Sequence, residues 1–166
     1  MASSVFLKLD GIEGDALEGD HTGEIEIQGW NWGLMQSGTQ EIAGRRTSGQ
    51  CSGQDLSVTK FMDKSSPNIV KNCCNGQGIK EAILTVQTSG GEGEKVNALV
   101  IKMEDVVITS YMPGGSGQTG GEIPTESITM TCKRFTYKYT GQKADSHADA
   151  ESEQGWDFDK KEPYSA

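Results

Sequence analysis

The sequence predicts a mainly β fold, an all-β barrel or sandwich with one short helix beside it. Alternation of apolar and polar residues with period two recurs along most of the chain, as strands half-buried on one face require. Glycine is abundant at 22 residues and proline scarce at 4, which favours many tight turns. Only one stretch carries helix-boundary signals instead.

Each element follows from its own residues. VFLKL (5–9) is the first strand. EIEIQGWNWG (24–33) alternates and then slips: Ile25 and Ile27 are odd, Trp30 and Trp32 even. A one-residue slip reverses the faces of a strand, so a β-bulge at Gln28-Gly29 is expected, returning all four apolar side chains to one core; the alternative is a strand end at Gln28 followed by a separate short strand. Glu24, Glu26 and Asn31 then point outward. Residues 33–54 are expected to be a long loop, rich in Gly, Ser and Gln. DLSVTKFM (55–62) is the next strand.

The helix is expected at about 66–75 within KSSPNIVKNCCNGQG, with Ser66 as N-cap, Pro67 at the first helical position and Asn75-Gly76 as the stop. Ile69, Val70, Cys73 and Cys74 share one side and pack it on the sheet. Strands resume at KEAILTVQT (80–88), KVNALVIKM (95–103) and EDVVITSYM (104–112), followed by a flexible loop, PGGSGQTGGEIP (113–124). SITMTCKRFTYKY (127–139) slips in phase as the earlier strand does, and a second bulge is expected near Lys133-Arg134. The segment at about 141–166 is acidic and reads as a solvated tail.

At 166 residues the chain is most simply one domain, 1–166, able to bury about two thirds of its unfolded surface. With 24 acidic and 15 basic residues it carries a formal charge of −9 and repels phosphate backbones, so nucleic acid is excluded as a partner. No run of 18 apolar residues argues for membrane insertion, and the start MASSVFLKLDG lacks the pattern of a signal peptide, so the cytoplasm is the expected compartment. Of the cysteines 51, 73, 74 and 132, two are adjacent on a helix and none has zinc-type spacing; reduced, buried thiols are expected.

Tests for chemistry return little. Gly115, Gly117 and Gly120 match G-x-G-x-x-G, but a strand follows where phosphate binding needs a helix N-terminus. His21 and His147 lie among acids in expected surface loops, DSHAD (145–149) is expected to be mobile, and no nucleophile elbow or acid pair is present. No enzyme, metal or cofactor follows. Arg45-Arg46, in the loop of an otherwise acidic chain, has two readings: contact with the acidic surface of another copy, or ordinary solvation.

Several blocks together resemble one family: HTGEIEIQGWNWG, QDLSVTKFMDKSSPNIVKNCCNGQGIKEAILTV, VVITSYMPGGSG, PTESITMTCKRFTYKY and the closing GQKAD with Gly155-Trp156. The set is similar to the haemolysin-coregulated proteins (Hcp), which form the inner tube of the bacterial type VI secretion system. Cys73-Cys74 and ADSHADAESEQ depart from the pattern. The resemblance implies a compact β-barrel of two packed antiparallel sheets with a flanking helix. It also implies homo-hexameric rings stacked into a tube, driven by a contractile sheath, tipped by a spike of the valine-glycine repeat type, and carrying effector proteins. The chain would be cytoplasmic before firing and then secreted without a signal peptide. On that expectation Glu24, Glu26 and Asn31 are candidates for the lumen wall, and Gln36, Glu41, Arg45 and Arg46 for contacts between subunits or rings. The alternative is a secreted non-enzymatic effector or carbohydrate-binding β-module, with Trp156 as the available sugar platform; a hexameric native mass favours the tube, a glycan-binding monomer the module.

Overall fold

A computed structural model describes residues 3–40, 46–89, 93–117, 121–143 and 148–166. In chain order the elements are β1 (Ser3–Leu9), β2 (Ile25–Ile27), β3 (Gly29–Asn31), β4 (Leu34–Gln40), β5 (Arg46–Gly53) and β6 (Leu56–Phe61). They continue with α1 (Ser66–Asn75), β7 (Ile79–Ser89), β8 (Lys95–Gly114), β9 (Thr125–Thr131), β10 (Arg134–Gln142), β11 (Ala148–Asp157) and β12 (Glu162–Pro163). All pairings are antiparallel. A large sheet runs β12-β11-β10-β8-β7-β1-β2, and a small one runs β3-β6-β9-β8, so β8 belongs to both. Leu7, Ile25, Leu56, Val58, Leu84, Ile101, Met103, Ile128 and Met130 fill the space between them.

The two-sheet architecture is as expected, with one refinement to the barrel. Around residue 28 the chain leaves β1 and joins β6, the Gln28 N–H donating to the Thr59 carbonyl at 2.8 Å. No continuous ladder closes the sheet.

The phase slips in the sequence mark changes of sheet, and neither is a bulge. At Gln28 one strand ends and a separate one begins, yet Trp30 and Trp32 still pack on the core beside Ile25 and Ile27. At Cys132-Lys133 the expected strand 127–139 divides into β9 and β10. Conversely, the two strands expected at 95–103 and 104–112 are one, β8, which bends at Asp105 with φ 53°. Its buried residues also change parity there, from Ile101 and Met103 to Val106 and Ile108. The two slips face each other: Met103 pairs with Phe135 and Ile108 with Met130. Both strands advance in phase across the same corner, so the ladder holds register while the ribbon passes from one sheet to the other.

The helix lies where expected, one residue earlier at its cap. Ser65 occupies the N-cap position without a side-chain cap bond, Pro67 lies in the first turn, and Gly76 closes the helix at φ 64°, a left-handed conformation suited to glycine. Ile69 is fully buried, Val70 and Cys73 are half-buried, and Cys74 faces solvent.

Three expected loops have structure. Leu34–Gln40 and Arg46–Gly53 pair as a two-stranded ribbon, β4–β5, outside both sheets; its small polar residues give no period-two signal. The acidic segment supplies β11, paired along β10, and β12. Gly155 permits this closure, since a Cβ there would collide with the carbonyls of Tyr164 and Phe135. Finally, the segment 10–24 covers the outer face of the large sheet, burying His21 against Phe6 in a parallel stack with ring centroids 4.4 Å apart. His21 is thus no surface residue.

Candidate functional site

The large sheet is wider than its cover. On its core side the row Ile25–Leu7–Leu84–Ile101–Tyr137–Gln154 crosses six strands by direct pairing. Its first four members are essentially inaccessible, whereas Tyr137 is 40% exposed. The next row, Ile27–Val5–Val86–Leu99–Tyr139–Ser152, ends the same way, with Tyr139 54% exposed. β10 and β11 therefore form a wing whose core-side face projects beyond the small sheet. That face carries Phe135, Tyr137, Tyr139, Ser152, Gln154 and Trp156 and no charge, while Lys138, Glu151 and Glu153 alternate onto the other side.

The base of the β4–β5 hairpin covers part of the wing. Trp32 meets Phe135 edge-on at 4.7 Å, and Phe158 packs on Phe135 at 5.6 Å. Between hairpin and wing runs a groove of about 620 Å³, lined by Leu34, Gln36, Cys51, Phe135, Trp156 and Lys161. A second hollow of about 410 Å³ adjoins it beside Tyr137 and Gln154. Trp156 packs against the core at its half-buried position, so it offers no open platform.

A charged cluster anchors the wing. Glu104, at the β8 corner, pairs with the Arg134 guanidinium and accepts a 2.9 Å hydrogen bond from the Tyr164 hydroxyl. Partial burial acts to raise the Glu104 carboxyl, but Arg134 and Tyr164 outweigh it and hold the group below its ordinary value. The guanidinium also lies 5.1 Å from the Tyr164 ring centroid. The residues after β11 are thereby pinned to the sheet corner.

At the other end of the small sheet is a buried polar network. Lys60, on β6, and its ladder partner Glu126, on β9, both face the core and are 0% and 1% exposed. The Lys60 ammonium donates to Glu126 Oε1 at 2.5 Å, Asp63 Oδ1 at 2.9 Å and the Phe61 carbonyl at 2.8 Å. The Ser66 hydroxyl donates to Glu126 Oε1 at 2.8 Å and the Tyr111 hydroxyl to Oε2 at 2.6 Å. Ser66 thus turns inward to Glu126 in place of capping its helix. Burial, and then the bond to Glu126, push the Tyr111 phenol up to about 12.

The residues singled out in the sequence are dispersed. Glu24 is largely covered and lies 2.8 Å from His21 Nδ1. Glu26 is exposed opposite Phe6 in the large sheet, and Asn31 is exposed opposite Ser57 in the small one, so the two lie on different sheets. Gln36 is exposed and its amide donates to the Gly49 carbonyl at 3.3 Å. Arg46 opens β5 opposite Gln40. Glu41, Arg45 and His147 lie outside the described residues, as does Gly120 of the glycine motif. All four cysteines are free, none is fully buried, and burial pushes the Cys132 thiol up to about 12, leaving it protonated and unreactive at neutral pH. Among the described residues no three metal-ligating side chains gather, and no helix is long and apolar enough to cross a membrane.

Sequence reasoning missed the wing and the buried network, though both left a signal. Tyr137 and Tyr139 continue the phase of Phe135, and Lys60 and Glu126 are opposite charges in phase with Leu56, Val58, Ile128 and Met130.

Comparison with known proteins places this architecture. The family model described as "Type VI secretion system effector, Hcp" matches residues 6–139. Protein hcp1 of Pseudomonas aeruginosa is 35% identical over 149 residues, 90% of each chain. Two solved structures are similar over nearly their whole length. One, "Structure of a type six secretion system protein", has a TM-score of 0.89 at 26% identity, covering 98% of this chain and 100% of its own. The other, Hcp1 from Salmonella typhimurium, has a TM-score of 0.80 at 25% identity, covering 99% and 100%.

Proposed function

Because the chain belongs to the Hcp family of type VI secretion system proteins, we propose that it is a subunit of the secreted inner tube, joined to other copies in hexameric rings that stack. Members of the family are structural tube proteins and not enzymes. The observation that carries the reading is the charge-free, core-side face of the wing, left exposed at Tyr137 and Tyr139. A sheet face built like a core but open to water is what a permanent contact with another subunit covers.

Within such a ring Asn31 is assigned to the lumen side, where effector proteins are carried; Glu26, on the outer face of the other sheet, and Glu24, drawn onto His21, are not. Gln36, Glu41, Arg45 and Arg46, on and around the hairpin, are assigned to contacts between subunits or stacked rings. The spike of valine-glycine repeat type and the contractile sheath are the remaining partners. The chain resides in the cytoplasm until the system fires and leaves the cell as part of the tube.

The test is native mass measurement of the purified protein and of Tyr139→Glu. The unaltered chain gives a hexamer; the variant keeps its far-ultraviolet circular dichroism and runs as smaller species. A monomeric wild type, or a variant that still forms hexamers, overturns the assignment. Two further variants separate the other surfaces: Arg45→Glu with Arg46→Glu leaves rings but weakens stacking in electron micrographs, and Asn31→Arg leaves rings but alters cargo retention.

A further inference from the structure

A ring of identical subunits is joined head to tail, so each copy must carry two different patches, each complementary to the other on its neighbour. The wing is one. Among the described residues the large exposed apolar side chains fall into two groups, apart from Leu17 in the segment 10–24. Leu34, Met35, Tyr137 and Tyr139 belong to the hairpin base and the wing. Phe61, Met112 and Ile123 are 45%, 65% and 60% exposed and form the second group.

The second group is contiguous. Phe61 pairs with Thr125 and Met112 with Ser127, so both stand on the outer face of the small sheet, on strands flanking β9. Ile123 lies two residues before β9, and the adjacent Pro124 carbonyl accepts the Met62 N–H at 2.9 Å, which ties this corner to the end of β6. The buried Lys60–Glu126 pair lies directly beneath, on the same two strands, and makes the corner rigid. Around it the outer face of the small sheet carries Ser57, Thr59, Ser127 and Thr129; the Asp55 carboxylate accepts the Thr109 hydroxyl at the far end of β6, away from Phe61, and Glu122 adjoins Ile123 at the edge of the corner.

The two groups cannot cover each other within one chain. Phe61 and Met112 flank the start of β9, whereas Tyr137 and Tyr139 lie past the corner on β10, at the other end of the same ribbon. A single subunit holds both halves of a joint it cannot close.

We propose that the corner formed by Phe61, Met112 and Ile123 of one copy seats against the Tyr137–Tyr139 face of the next, making the head-to-tail joint of the ring. This rests on the reading of the chain as a ring subunit, and goes beyond it by naming the two surfaces that meet. The side chains named for the contact are uncharged, so the joint is held by apolar and aromatic burial and tolerates high salt.

The experiment places a benzophenone amino acid at Met112, irradiates isolated hexamers made from mixed light- and heavy-isotope chains, and maps the cross-linked peptides. The expected result is inter-chain links from position 112 to the 134–142 segment or to Leu34-Met35. A label at Ile123 is the second probe, covering failure of the first variant to fold, and gives the same map. Links from the corner to the same corner of another copy overturn the proposal in favour of a two-fold contact. Hexamers that give no inter-chain link, or links only to other segments, overturn it while leaving the ring intact. A monomeric native mass for the unlabelled protein overturns the ring itself, and the joint with it.

Discussion

Lys60→Met tests whether the buried network holds the small sheet to the helix. The substitution keeps the length of the side chain but removes the ammonium bound to Glu126 in the core. Glu126 retains the Ser66 and Tyr111 hydroxyls, and Asp63 retains Ser65, so both carboxylates keep hydrogen bonds but lose their counter-charge. Removing one partner of a buried ion pair costs about 3 to 5 kcal/mol, and the surviving hydroxyls place this case near the lower figure. Against a total stability of about 5 to 15 kcal/mol, that loss is large. In urea, with a slope of about 2 kcal/mol per molar, the midpoint falls by about 1.5 M. Lys60→Met combined with Glu126→Gln removes both charges and keeps the two hydroxyl bonds. It should lie closer to the wild type than the single variant, since an uncharged pair of similar shape costs little in an interior. A midpoint shift below about 0.3 M for Lys60→Met, with unchanged slope, would refute the argument, because Glu126 would then be solvated by water. Additive effects of the two substitutions would refute the pairing itself.

Four further outcomes follow from local geometry. The Tyr111 phenol lies above its ordinary value, at about 12, so its share of stability is complete below about pH 10 and is lost as the pH rises through 12; Asp63 behaves oppositely. Burial acts to raise the Asp63 carboxyl, but bonds from Ser65 and Lys60 bring it below 3.8, so its contribution is present above that pH and lost as the pH falls through the folded value. Thermal melts across pH, with Tyr111→Phe and Asp63→Asn as controls, check both signs. Gly155→Ala forces a Cβ against the Tyr164 and Phe135 carbonyls and should cost about 2 kcal/mol, with faster amide exchange at residues 155–164 as the local signature. His21→Ala removes the stack on Phe6 and the bond to Glu24; about 2 kcal/mol of destabilisation with selective proteolysis in the segment 10–24 is expected, and global loosening without selective cutting would contradict the latch.

Most strands were legible because one face of each is buried, and alternation records that directly. The helix was legible because Pro67 and Gly76 can serve few other purposes at that spacing. The β4–β5 pair was not, because its ladder joins backbone groups of small polar residues that carry no alternation. The buried His21 was missed for a related reason. Nothing in the acidic surroundings LEGDHTGE announces a cover; only the phase of Phe6, opposite to Leu7 and Leu9 and yet apolar, signals that the outer face of β1 is also shielded. The wing was hidden by a different effect. Its tyrosines keep the core phase, so the sequence marks them as interior, and only the sheet order shows that the small sheet ends before it reaches them.

The phase slips in EIEIQGWNWG and SITMTCKRFTYKY carry the larger lesson about inference from pattern. A bulge and a change of sheet both advance a strand by one residue, so period alone cannot separate them. What separates them is the partner. A bulge leaves the partner in phase, whereas at a corner shared by two strands both must slip together to keep buried residues paired. β8 does slip, between Met103 and Val106, opposite the slip between Met130 and Phe135. In EIEIQGWNWG the partner itself changes, from β1 before Gln28 to β6 after it, and each short run remains in phase with its own partner. The same turn that carries Trp30 and Trp32 onto the core sends Asn31 to the outer face of the small sheet and leaves Glu26 on that of the large one. Substituting both residues therefore probes two surfaces, and only one of them can line a central channel if the sheets lie along its wall.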